Sequence, residues 1–214
     1  MSSWRAFCHT IHLAALGIWA GAIALAAATA AVAFPTLKHM DVRIPSLPPG
    51  SESDHFRFAA GAVAQRVFNI GDIVAFGCAM LSALALLALV GAFKIPMKRP
   101  ANALRALALT IAIASLAALL LVVTPSINAA SEAHLAAVIA GNHEDAARHR
   151  AAVDDLHPLA SMLMSIELVS VLIALLCGGW SLATGAQRSG AFAADAPNPS
   201  NPYPEPALLK RKSI

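Results

Sequence analysis

The residue in this sequence with the strongest chemical potential is Glu167. It stands about ten residues into an apolar run that opens near His157, so in a helix rising 1.5 Å per residue it lies ~15 Å deep, close to the middle of a bilayer. No Lys or Arg occurs at that depth in any apolar run. An ionised, unpaired carboxylate there is very costly, so Glu167 is expected to be protonated or hydrogen-bonded inside a helix bundle. Its chemical use would be a proton relay or a cation site. Its structural use would be a carboxyl that joins helices by a hydrogen bond. Ser82, Cys78 and Ser115 are the polar residues expected near its depth on other helices.

A second polar group sits nearer the ends of the runs. Arg66, Asn69 and Asp72 recur every three residues along a slowly turning helix face. If neighbouring helices are antiparallel, Asp154, Asp155 and His157 come to the same level, and His157 can reach Asp72. That group would form either the entrance to a substrate or ion path or a polar lock between helix ends. His9 and His12 lie at the opposite end of the first run, too far along the axis to meet His157. His12 and Trp19 are seven residues apart and share a helix face. Haem ligation needs paired histidines facing one another at one depth, and the second and third runs contain none. His143 and His149 are six residues apart, which is not the i, i+4 spacing of a metal clamp, so that segment reads as a solvated polar helix.

The elements that must hold these residues follow from composition. Apolar residues make up 58% of the 214 and charged ones 13%, against roughly 25% in an ordinary soluble domain. The charges crowd between four runs, at about 11–34, 67–93, 104–123 and 159–183. Each run reaches the roughly 20 residues that cross a hydrocarbon core, and a helix satisfies its own backbone in lipid. The expected fold is all-α, an integral membrane four-helix bundle over 1–186, followed by a disordered Pro-rich tail over 187–214. Arg5, the apolar stretch and Ala31–Val32–Ala33 also give the first run a rival reading as a cleaved signal peptide. The loop at 45–53 is polar and Pro-rich, and a helix capped by Asp54 is expected to lead into the second span. The segment 126–157 reads as two helical pieces divided at Gly141–Asn142, either on the surface or extending the spans. Gly17 and Gly21 form a GxxxG element, expected to serve packing within the bundle, with homodimerisation as the alternative.

Charge decides orientation and excludes some functions. Nine Lys and Arg residues lie on the side of the N-terminus, the 94–105 connection and the tail, and six lie on the other side. The positive-inside rule then places both termini in the cytoplasm. A cytoplasmic, inner membrane of a bacterial cell is implied, since no eukaryotic targeting signal is evident. The net charge of +3 is spread in short clusters beside apolar runs without interleaved aromatics, which reads as lipid contact and not as a nucleic-acid surface. Cys8, Cys78 and Cys177 form no CxxC and read as core residues. No Walker-type phosphate loop, GxGxxG or GxSxG occurs, so nothing points to ATP, a dinucleotide or a serine nucleophile.

Several of these residues together resemble the transmembrane-protein-205-like family of four-span proteins. They are His12, Trp19 and Gly21 with Phe34–Pro35 in the first span, Gly61 to Phe68 at the opening of the second, and Leu156–His157–Pro158 with Ser161 at the opening of the fourth. The resemblance covers roughly residues 7–185. It departs in a longer, Pro-rich first connection and in Val153, where the family leads one to expect an aromatic. It implies a four-helix membrane bundle and no settled chemistry. The first span, with His12 followed by Trp19 and Gly21, also resembles copper-resistance-D-type membrane proteins, which would imply copper handling. The expectation is a non-enzymatic membrane protein without cofactor, its partners being the bilayer and a homodimer or larger complex. The functional residues expected are His12, Trp19, Asp72, His157 and Glu167, in proton- or cation-linked handling of a small solute. The alternatives are a structural or assembly subunit of a membrane complex, and a copper- or haem-handling protein.

Overall fold

The computed structural model describes residues 3–45, 47 and 52–194, with 52–54 and 185–194 described as backbone only. Among these described residues five helices follow in order: α1 Ser3–His39, α2 Glu52–Gly91, α3 Pro100–Ala118, α4 Thr124–Ile139 and α5 His143–Ala194. A single π-helical turn, Leu119–Val123, joins α3 to α4, so the two form one continuous rod. Pro125 explains the turn. It lacks the N–H that would bond the Leu121 carbonyl, and its ring crowds that carbonyl, so the ladder loosens just before it. The Ser126 hydroxyl donates to the Val122 carbonyl at 2.7 Å and satisfies one of the loosened acceptors.

Among the described residues four rods are long and apolar enough to cross a membrane, at 3–39, 55–91, 100–139 and 143–184, and the chain is a multi-pass helical membrane protein. Large apolar side chains such as Ile73, Leu121 and Leu176 point outward, as a lipid-facing surface requires. The rods pack as two antiparallel pairs. α1 lies along α2, and the α3–α4 rod lies along α5. The pairs meet chiefly where α1 touches α5, while α2 and α3 barely meet. Below, the near end is the one holding the start of α1 and the connection between α2 and α3. The far end holds the connections from α1 to α2 and from α4 to α5.

The rods are longer than the apolar runs that seed them. α2 begins at Glu52, which puts Asp54 inside its first turn and not at its cap. α5 begins at His143 and runs unbroken through Pro158. The two pieces expected in 126–157 therefore extend the spans, and the bundle projects about 20 Å past the apolar runs at the far end. There a small second core of Leu47, Ala137, Val138 and Ala146, with Ile44 and Phe58 against it, closes the projection. His134 donates from Nδ1 to the Ala146 carbonyl at 2.9 Å and stacks on Phe58. Gly141, at φ +70°, makes the turn out of α4, and Asn142 caps α5 by accepting from the Asp145 N–H at 3.2 Å. The charges of the 143–149 segment are solvated, with Arg148 paired to Asp145 at 2.7 Å. Helix α5 continues through 187 to Ala194, past the expected start of the tail, and the rest of the predicted tail lies outside the described residues, as does most of the 45–53 loop.

The GxxxG element does not pack inside the bundle. A Cβ at Gly17 or Gly21 would meet nothing within 4 Å, because both glycines sit on the outward face of α1 beside Ile18 and Leu25. The buried stripe of α1 is instead His9, His12, Leu16, Trp19, Ile23 and Ala26, at alternating spacings of three and four. The Asn142 cap makes a measurable prediction. Asn142→Ala lowers the thermal stability of the detergent-purified protein by about 1 kcal/mol, whereas a structurally idle Asn142 would leave the unfolding midpoint unchanged.

Candidate functional site

Two polar levels interrupt the buried stripe of α1. The first is built by Trp19. This side chain is fully buried, and its indole N–H donates to Glu167 Oε1 of α5 at 2.6 Å. An indole nitrogen can only donate and a carboxyl oxygen readily accepts, so the pair is complementary. Glu167 is 2% exposed, and this bond joins α1 to α5, the two helices through which the pairs chiefly meet. The partner of Glu167 is thus an aromatic N–H from the first span, not a hydroxyl or thiol of the second or third. Cys78 and Ser115 are buried in the apolar bundle, while Ser82 lies about 10 Å nearer the other end, at the level of His12.

Above Trp19, toward the far end, the pairs diverge around a cavity of about 900 Å³. Its walls come from α1, α2, the α3–α4 rod and α5, and they are mostly apolar, with Ile23, Phe34, Phe68 and Met164 among them. Gly71 of α2 lies against α1, its Cβ position 3.9 Å from the Ala22 carbonyl, which is ordinary van der Waals contact. Glu167 lines the cavity floor, Asp72 lines the wall from α2, and His157 lies about 15 Å higher on α5. The expected Asp72–His157 contact is not formed. The two line one cavity without a hydrogen bond between them. Asp72 is instead within electrostatic reach of Glu167. The basic residues of the lining, Lys38, Arg57 and Arg150, belong to the upper part, where Arg150 approaches Asp154 at 3.9 Å. Arg66 sits on the exposed face of α2 and takes no part in the cavity.

The second polar level is built by His12, also fully buried. Arg105 Nε donates to His12 Nε2 at 2.9 Å. That nitrogen must therefore be bare, so Nδ1 carries the ring hydrogen and donates it to the Ser82 carbonyl at 3.0 Å. One neutral imidazole thus joins α1, α2 and α3. Arg105 is 1% exposed and lies against Gly178 of α5, where a Cβ would stand 3.6 Å from Nε. Nearby, the Ser181 hydroxyl donates to Asn102 Oδ1 at 3.1 Å, and the Asn102 amide donates to the Pro96 carbonyl at 3.0 Å.

Of the five residues singled out in the sequence, Trp19 and Glu167 are bonded to each other, and Asp72 and His157 share the cavity above them. His12 belongs to the other level. It lies about 25 Å along the axis from His157, which leaves these two unable to share a metal or a haem. Among the described residues, no group of three or more His, Cys, Asp or Glu stands close enough to hold a metal ion. Arg105 is the buried charged residue that the sequence reading missed, along with the buried Asn102 and Ser170. Counted with the 94–105 cluster it resembled a topology signal, although its place inside the third apolar run was visible.

No protein-family model matches this chain, and comparison with curated proteins and with solved structures gives no match. The Trp19–Glu167 bond can be tested directly. Trp19→Phe removes the donor and leaves a buried acceptor unsatisfied, which costs about 1–3 kcal/mol in thermal or denaturant unfolding. Glu167→Gln keeps an acceptor oxygen for the indole and stays close to wild-type stability. Equal losses in both variants would contradict the assigned bond.

Proposed function

We propose that the chain handles a small amphipathic organic cation, exchanging it with a proton at Glu167. The observation that carries this reading is the cavity itself, drug-sized and apolar, with two carboxyl groups in its deep part and its basic residues in the upper part. Two carboxyl groups within reach of one another, without a basic partner at their depth, favour a proton or another cation between them. The apolar walls would take the body of the solute, Asp72 and Glu167 its charge, and His157 would stand on the path above. In this reading the chain is non-enzymatic and sits in a bacterial inner membrane. The excess of Lys and Arg at the near end supports cytoplasmic termini, with the cavity opening on the opposite side. The resemblance to transmembrane-protein-205-like proteins is compatible with this reading and adds no chemistry to it. Four spans are few for a transporter, and the outward Gly17–Gly21 face of α1 offers a second copy a close approach.

Ethidium, a planar amphipathic cation, is a suitable probe. Its fluorescence is expected to rise on binding to the purified protein, and Glu167→Gln and Asp72→Asn are each expected to weaken binding about tenfold or more without loss of helix content. Unchanged binding in both variants would remove the carboxyl groups from the function. Absence of binding, together with stoichiometric co-purification of other membrane proteins, would favour an assembly subunit instead.

A further inference from the structure

At the near end three buried nitrogen atoms have no hydrogen-bond partner: Arg5 Nε, His9 Nδ1 and Arg105 Nη2. They are not scattered. Arg5 and His9 are four residues apart on one face of α1, and both Arg5 and Arg105 lie within electrostatic reach of His9. Arg105 is held by its bond to His12, which spends Nε and leaves Nη2 directed elsewhere. The guanidinium is a permanent cation, and burying it unpaired is costly. Nevertheless no carboxylate answers it, the acidic group within electrostatic reach being the Cys177 thiol of α5. Every described Asp and Glu lies at the depth of Glu167 or farther toward the far end. The cluster is therefore a buried cation with unused donors, and its missing partner is an anion.

Its position narrows the choice. Arg5 and His9 fall just before the first apolar run and Arg105 just inside the third, so the cluster sits where the hydrocarbon meets the headgroup layer. Lys94, Lys98 and Arg99 of the α2–α3 connection add positive potential at the same end. An arginine fork matches a phosphate, presenting several oxygens to several N–H groups. We propose that Arg5, His9 and Arg105 form a binding site for a phosphate oxyanion, carried either by a bilayer lipid headgroup or by free phosphate. The site is independent of the cavity and of the reading given to Glu167, since it faces the other end of the bundle.

The test uses the full chain in a phosphate-free detergent buffer and follows its thermal unfolding. Inorganic phosphate, phosphatidylglycerol and a phosphate-free diacylglycerol glycolipid are titrated separately. The unfolding midpoint is expected to rise with at least one phosphate carrier beyond the rise given by the glycolipid. The half-saturating concentration should then increase about ten- to a hundredfold in Arg105→Gln and in Arg5→Gln. Stabilisation by inorganic phosphate identifies a free-anion site, and stabilisation by phosphatidylglycerol alone identifies a headgroup site. If Arg105→Gln does not fold, Arg5→Gln carries the comparison, because Arg5 is partly exposed and outside the His12 link. The proposal is overturned if neither phosphate carrier exceeds the glycolipid, or if the foldable variants respond like the wild type.

Discussion

In lipid the hydrophobic effect does not hold helices together, because a lipid tail is as apolar as a leucine. What fastens this bundle is a small number of polar links between helices, and the hydrogen bond from Trp19 to Glu167 is the one that the cavity rests on. It joins the α1–α2 pair to the α3–α5 pair, in a bundle whose other seam, α2 to α3, makes little contact. With that bond in place the pairs are held together at mid-depth and free to diverge beyond it. The cavity is the consequence of that divergence, and Glu167 is at once its floor and part of its fastening.

The described acids all lie toward one end of the bundle, among basic residues such as Lys38, Arg57 and Arg150, while the near end is basic only. From Glu167 outward lie all the described acids, and the helices project well past the apolar runs to wall a vestibule. At the near end lie Arg5, Arg105 and the basic α2–α3 connection, with His12 as a neutral hinge between three helices. The same stripe of α1 serves both levels. His9 and His12 belong to the near-end polar level, and Trp19 bonds Glu167 just below Ile23 of the cavity wall, so one helix face serves two separate polar levels.

Much of this was legible in the sequence. A membrane span needs only length and apolarity, and those are plain in 11–34, 67–93, 104–123 and 159–183. The depth of Glu167 followed from counting residues at a fixed rise. The projecting ends were harder to read, since α2 before residue 67 and α5 before residue 159 carry the polar surface of any solvated segment. Trp19 was visible as a residue of interest but not as the partner of Glu167, because pairing across 148 positions depends on how α1 turns against α5. Arg105 was hidden by its neighbours: beside Lys94, Lys98 and Arg99 it resembled one more topology signal, whereas burial makes it different in kind. Gly17 and Gly21 were expected inside the bundle because the pattern records only smoothness, and smoothness does not say which way a helix face turns.

The central claim is that Glu167 is reached from the cavity and holds an exchangeable cation. Infrared difference spectroscopy tests it most directly, with the Glu167 carboxyl absorption identified by its loss in Glu167→Gln. The account predicts that this band shifts promptly when water is replaced by deuterium oxide and changes again when an organic cation is added. A band that neither exchanges nor responds to the cation would show a sealed structural carboxyl, and the functional reading of the cavity would fall with it.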